Sequence, residues 1–253
     1  MNRMRKSISI ICRSLLPDSN ATGRTYSARI KQLFHHMPKE HVQVMTLGRF
    51  ADAVYEYLQE LCPDVAQTRL DDMSLPAELA ELGGRIYILV AWRPAPSICS
   101  ALNKRSHLTG RPFVPIIVDN TALQLGPVVL PNQGACWECW VRRSNQHSPW
   151  PAARDALFKY YDANAQAGPP GYLEPLAMVA AAEIAAIVEA VDSGSARGGY
   201  VWHMDIITRA ITTSTVVGVH GCDQCGLGRS VDERTFSAMR DDLSWLFSND
   251  AQS

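Results

Sequence analysis

Two Cys-x-x-Cys pairs, CWEC at 136–139 and CDQC at 222–225, stand at either end of most of the chain's second half. A two-residue spacer lets both thiolates of a pair face one ion, and tetrahedral zinc asks for four such ligands. Neither pair fills a coordination sphere alone; together they do. The favoured reading is therefore a closed four-sulfur Zn²⁺ site made by Cys136, Cys139, Cys222 and Cys225. The alternative is thiol–disulfide chemistry by one pair, with the first thiol activated at a helix N-terminus. A closed zinc site has no open position, so it is structural rather than catalytic. Its binding free energy is folding free energy, on the order of 10 kcal/mol. Such a site obliges the chain between the pairs to leave and return to the same place.

The remaining cysteines, Cys12, Cys62 and Cys99, lie singly in apolar surroundings and read as buried thiols. The basic start, MNRMRK, is followed by an apolar run, ISIIC, that is too short for a signal peptide. Without export, a disulfide framework is not expected, and the reading is a cytoplasmic protein. The one long apolar stretch, 172–191, carries Glu174, Glu183 and Glu189 and is rich in alanine, which argues against a membrane span. A net charge of −1 gives no electrostatic reason to expect nucleic acid as a partner.

Along the chain, SISIIC (7–12) reads as a first strand, 24–37 as a helix and HVQVMTL (41–47) as a second strand. A helix over 50–62 follows, with Phe50, Val54, Tyr57, Leu58 and Leu61 on one face. RIYILVAW (85–92) reads as a strand, 95–110 as a helix closing at Gly110, and PFVPIIVD (112–119) as the next strand. Strands alternating with helices predict an α/β fold, a mostly parallel sheet covered by helices. In the second half, Leu176, Ala177, Ala180, Ile184 and Val188 mark a long helix, and 198–206 and 213–220 two further strands. The polar stretch 144–171 reads as a long crossing loop holding one helix at 153–161, and 241–247 as a short amphipathic helix. The expected division is a Rossmann-like half, 1–130, and a second half, 131–253, bearing the zinc knuckle, the crossing loop and the last helix and strands.

The order of these features resembles the ThiF-like (ubiquitin-activating-type) fold. The stretch 85–143 narrows the likeness, through Leu102-Asn103, the run Gly110 to Pro115, Gly126-Pro127 and C-x-x-C-x-x-R from Cys136 to Arg142. In that order they resemble the ThiF-like subunit of thiazole/oxazole-modified peptide synthetases, a family that includes a microcin-maturing synthetase. The resemblance implies a subunit of a complex that cyclises Cys, Ser and Thr of a ribosomal precursor peptide into azoline rings. It implies a YcaO-type cyclodehydratase partner that uses ATP, a flavin dehydrogenase, and a homodimer. Relatives carry a winged-helix-like leader-recognition domain ahead of the Rossmann half. Here the chain begins almost directly at its first strand, so leader binding is expected to need a partner or a second copy.

Adenylating members of the fold need a glycine-rich phosphate cradle after the first strand. CRSLLPDSNATGR offers one glycine, Gly23, well past SISIIC. An acidic residue at the end of the second strand would hold ribose hydroxyls; Gly48-Arg49 stands there, with Asp52 already in the helix. The metal-binding aspartate expected after YILVA is replaced by Trp92-Arg93-Pro94. ATP is therefore not expected on this chain, and no catalytic residue is assigned; an active ATP-dependent adenylating enzyme is the rival reading. Arg142 and Arg143, beside the first cysteine pair, are candidates to contact an acidic leader peptide. His35, His36 and His41 read as surface residues, and His220 adjoins the second cysteine pair.

Overall fold

The computed structural model describes residues 41–70, 83–119, 121–164, 167–169 and 171–226. The expected strand at 7–12 and the helices at 24–37 and 241–247 lie outside the described residues. In chain order the elements begin with β1 (Val42–Leu47), α1 (Arg49–Leu61), β2 (Val65–Arg69), β3 (Ile86–Ala91) and α2 (Pro96–Thr109). Next come β4 (Phe113–Asp119), β5 (Ala122–Leu125), α3 (Trp137–His147), α4 (Pro151–Ala163), α5 (Glu174–Asp192), β6 (Tyr200–Asp205) and β7 (Ile211–Thr215).

The strands form one seven-stranded sheet in the order β2-β1-β3-β4-β5-β6-β7. The first four run parallel, with Val42 opposite Val65 and Ile86, and Leu89 opposite Pro115. From β4 onward every pairing is antiparallel. All six residues of β1 and of β3 are buried, as strands covered on both sheet faces must be; β3 is apolar throughout, while β1 also buries Gln43 and Thr46. Alternate residues serve opposite layers. Val44, Ile88, Val90 and Ile116 pack with Val54 and Leu58 of α1 and with Ala177, Ala181 and Ile184 of α5. Met45, Tyr87, Leu89 and Phe113 face the other way, onto Ile98 and Leu102 of α2 and onto the four paired cysteines. At the end of the first layer, Arg85 grips the Asp192 carboxylate with two donors, 2.8 and 2.5 Å away, and joins the start of β3 to the end of α5.

In doubly wound sheets that bind nucleotides the first strand lies between the second and the strand that follows the switch point. Among the described residues that place belongs to β1, which was expected as the second strand. The cradle position is therefore the turn Leu47-Gly48-Arg49, with one glycine at φ 84°, and the ribose position moves to the end of β2 at Arg69-Leu70. Two further expectations change in part. The helix expected at 153–161 is present as α4, which Pro151 opens with the fixed φ that a first helical position favours, but the residues before it are not all loop, because α3 runs on to His147. The strand expected over 213–220 ends at Thr215; Val216 N–H still bonds to Gly199 O, and then the chain turns away at Gly218. Strands β2 and β5, of five and four residues, are too short to announce themselves by periodicity.

Glu183 sits mid-way along α5, where burial pushes its carboxyl up to about 7. A carboxyl raised in the folded state adds stability that is present below its unfolded pKa near 4.5 and is lost as pH rises through about 7. Replacing Glu183 by Gln removes that dependence. The expected outcome is that wild type gains on the order of 2 kcal/mol relative to Glu183→Gln between pH 8 and pH 5. Urea midpoints of both proteins at the two pH values check it, and an unchanged difference between them overturns the assignment.

Candidate metal centre and sheet-end cleft

The four sulfurs of Cys136, Cys139, Cys222 and Cys225 all lie within 4.8 Å of one another, and all four residues are buried. Cys136 Sγ is 3.9 Å from Cys139 Sγ and 3.7 Å from Cys222 Sγ, and Cys139 Sγ is 3.4 Å from Cys225 Sγ. Disulfide sulfurs stand about 2.05 Å apart, so these are free thiols. A tetrahedron with metal–sulfur bonds of about 2.3 Å has edges of about 3.8 Å, close to these separations. The donor set thus fits a four-coordinate metal that favours sulfur, zinc or iron.

Local structure explains how each pair reaches the site. Cys136 is extended at the N-cap of α3, and Cys139 lies in that helix's first turn, so the positive helix end faces the sulfurs. Cys136 offers no side-chain cap; the cap comes from Asn103 of α2, fully buried, whose Oδ1 accepts the Trp137 N–H at 3.2 Å. Ser100 Oγ donates to Glu138 Oε1 at 2.7 Å, a second tie between α2 and α3. The other pair sits in two tight turns. Cys222 N–H donates to Val219 O, and Gly226 N–H to Cys222 O; a Cβ at Gly226 would press on that same oxygen. Across the site, Val219 N–H donates to Cys139 Sγ at 3.2 Å. Hydrogen bonds from Cys136 and Cys225 hold the Cys139 thiol well below the usual range, and Val219 N–H adds to them. Cys136, the donor to Cys139, is pushed up in return.

Arg142 and Arg143 stand on the outer side of α3. Exposed Arg142 reaches Asp223 at 3.5 Å. Arg143, half-buried, donates from Nε to Val217 O at 3.4 Å and from Nη2 to Gly218 O at 3.3 Å. His220 is exposed, and the described residues give it no bond to the cysteines.

A cleft of about 710 Å³ opens at the carboxyl ends of β1 and β3, the place where open α/β sheets receive ligands. Gly48, Arg49, Asp52, Arg69, Trp92 and Tyr172 are among the residues lining it. Asp52, expected only as a residue inside the helix, accepts from Gln67 at 2.8 Å and from Arg69 at 3.1 Å. The Trp92 ring lies so close to Gly48 that a Cβ there would collide with it, and a Cβ at Gly168 would come within 2.6 Å of its far edge. Arg93 is fully buried; its Nη1 donates to Tyr161 O at 2.9 Å, and its guanidinium stands 5.3 Å over the Tyr161 ring.

No protein-family profile matches the chain, and no curated protein does. Solved structures do match in fold. The heterocyclase TruD aligns at TM-score 0.53 and 17% identity, over 79% of this chain and 28% of that one. A heterocyclase in complex with substrate and cofactor aligns at TM-score 0.52 and 14% identity, over 91% and 33%. MccB of E. coli aligns at TM-score 0.51 and 13% identity, over 80% and 69%. The chain therefore spans about a third of the length of the two heterocyclases it matches. At these identities the likeness is one of fold. No helix among the described residues is long and apolar enough to cross a membrane.

Metal content tests the four-sulfur centre directly. Purified protein is expected to carry one metal ion per chain by elemental analysis. Cys139→Ala or Cys222→Ala is expected to lose it and to unfold at lower temperature, because a bound structural ion contributes to folding. Acid should strip the ion, since protons compete for the thiolates. A metal-free wild type with normal stability would remove the centre from the account.

Proposed function

We propose that the chain is a non-catalytic, zinc-clipped, ThiF-like scaffold of a synthetase that installs thiazole or oxazole rings in a ribosomally made precursor peptide. On this reading it works with a YcaO-type cyclodehydratase that uses the ATP, and with a flavin dehydrogenase, and it forms a homodimer. One observation carries the proposal. In adenylating relatives an aspartate after the third parallel strand holds Mg²⁺; here Trp92 follows that strand and lays its ring against Gly48, in the cradle turn. An indole offers a metal no carboxylate, and a single glycine gives phosphates little bare backbone to approach. The fold likeness to heterocyclases supports the assignment to peptide maturation.

The metal of choice is zinc, because a closed four-sulfur set with no further ligand suits a redox-inert structural ion. Cys136, Cys139, Cys222 and Cys225 would hold it. Zinc there supplies cohesion and no chemistry. Arg142, exposed beside the knuckle, is the residue offered to an acidic leader peptide, with Arg143 next to it. The division into a Rossmann-like half, 1–130, and a knuckle-bearing half, 131–253, belongs to the same reading.

The rival is an ATP-dependent adenylating enzyme. It draws on the size of the cleft and on the fold shared with MccB, which has been solved with AMPCPP and MccA. Calorimetric titration of ATP and Mg²⁺ into the zinc-loaded chain separates the two. The proposal expects no binding up to millimolar nucleotide and no ATP–pyrophosphate exchange. It also expects co-expression with a YcaO-type subunit and a precursor peptide to yield products lighter by one water per ring, and none without this chain. Micromolar nucleotide binding with exchange would hand the function to the rival.

A further inference from the structure

The Arg143 fork has a second consequence, which rests on the four-sulfur reading of the metal centre. Its guanidinium reaches across from α3 to the loop after β7 and holds two successive carbonyls, Val217 O at 3.4 Å and Gly218 O at 3.3 Å. A third donor, Nη1, bonds Gln146 Oε1 one turn along α3 at 3.1 Å and fixes the plane of the fork. The next residue after the clamped carbonyls is Val219, whose N–H donates to Cys139 Sγ at 3.2 Å. Val219 O in turn accepts the N–H of Cys222, the first ligand of the second pair, at 3.1 Å. Both bonds of Val219 therefore depend on where residues 217 and 218 are held.

We propose that Arg143 is a positioning residue for the metal centre: it pins the 217–218 turn so that Val219 N–H points at Cys139 Sγ and its carbonyl fixes Cys222. The amide bond withdraws charge from one thiolate of a set that carries four, which favours a compact sulfur cluster around a divalent ion. Groups that orient metal ligands from outside the coordination sphere are commonly worth a factor of 10 to 100 in metal affinity. Lysine would not replace it, because a single ammonium lacks the planar spread of donors that spans two carbonyls and Gln146 together. Arg142, one residue away, makes a long contact between two exposed groups, and such pairs contribute little.

The test is zinc release from the full chain to a chromogenic chelator in excess, with wild type, Arg143→Gln, Arg143→Lys and Arg142→Gln. Circular dichroism and zinc content at the start establish that each protein is folded and loaded. The expected result is release faster by about tenfold or more in Arg143→Gln, little rescue in Arg143→Lys, and a change under twofold in Arg142→Gln. In cadmium-substituted protein, the ¹¹³Cd resonance should shift in Arg143→Gln and stay in place in Arg142→Gln. Should Arg143→Gln not fold, Arg143→Lys carries the same comparison. Equal release from all four loaded proteins, with unmoved cadmium signals, overturns the role of Arg143 and leaves the metal centre standing. A wild type that neither contains nor takes up zinc or cadmium overturns the centre itself, and the proposal with it.

Discussion

Four buried sulfurs held within 4.8 Å of one another are the constraint on which the second half of this molecule depends. Between Cys139 and Cys222 the chain makes three helices and two strands, crosses the sheet face to place α5 beside α1, and returns along the antiparallel edge. The return has to end where α3 begins. Four buried sulfurs crowded together as thiolates would be costly without a cation to neutralise them. With a divalent ion, the same crowding becomes the strongest single tie in the fold, since it draws on metal–sulfur bonds rather than on apolar area. The cluster also sits inside the second apolar layer, against Trp137, Leu102 and Phe113, so the ion and the hydrophobic packing reinforce one another.

The other end of the molecule is held together by a different set of contacts. Trp92 lines the cleft, and Arg93 fastens α4. The buried Arg93 guanidinium binds the Tyr161 carbonyl and stacks on its ring, and Asp162 next to it accepts from Ser97 Oγ at the start of α2. The helical crossing segment is thus bolted to the mouth of the parallel sheet by groups of opposite charge. Burial works against the Arg93 charge, and the Asp162 carboxylate offsets part of that penalty.

How much of this was legible in the sequence follows from the range of each signal. The alternation of β1, the apolar runs of β3 and β4 and the Gly110 stop of α2 are local, and the residues alone place them to within one or two positions. The cysteine cluster was legible because its chemistry sets the answer whatever the path between. Strand order was not, because β1 differs from an outer parallel strand only in what lies on either side of it. Reading the strand at 41–47 as second in line put the cradle and the ribose position one strand too early, although Trp92, fixed by the third strand, was read in the right place. Of the two helices between the first cysteine pair and α5, α4 was legible as the helix at 153–161, whereas α3 was hidden for a different reason. Its sequence is polar on most faces, and its start is held by tertiary ties from Asn103 and Ser100 rather than by an apolar stripe.

Those ties connect the two centres. Asn103 and Ser100 on α2 hold the start of α3 and hence the first cysteine pair, while Ser97 in the first turn of the same helix and Arg93 just before it hold the end of α4. One helix therefore carries the metal knuckle and the crossing segment on a common rigid support. Its own position is set by Ile98, Cys99 and Leu102, all fully buried against β3 and β4.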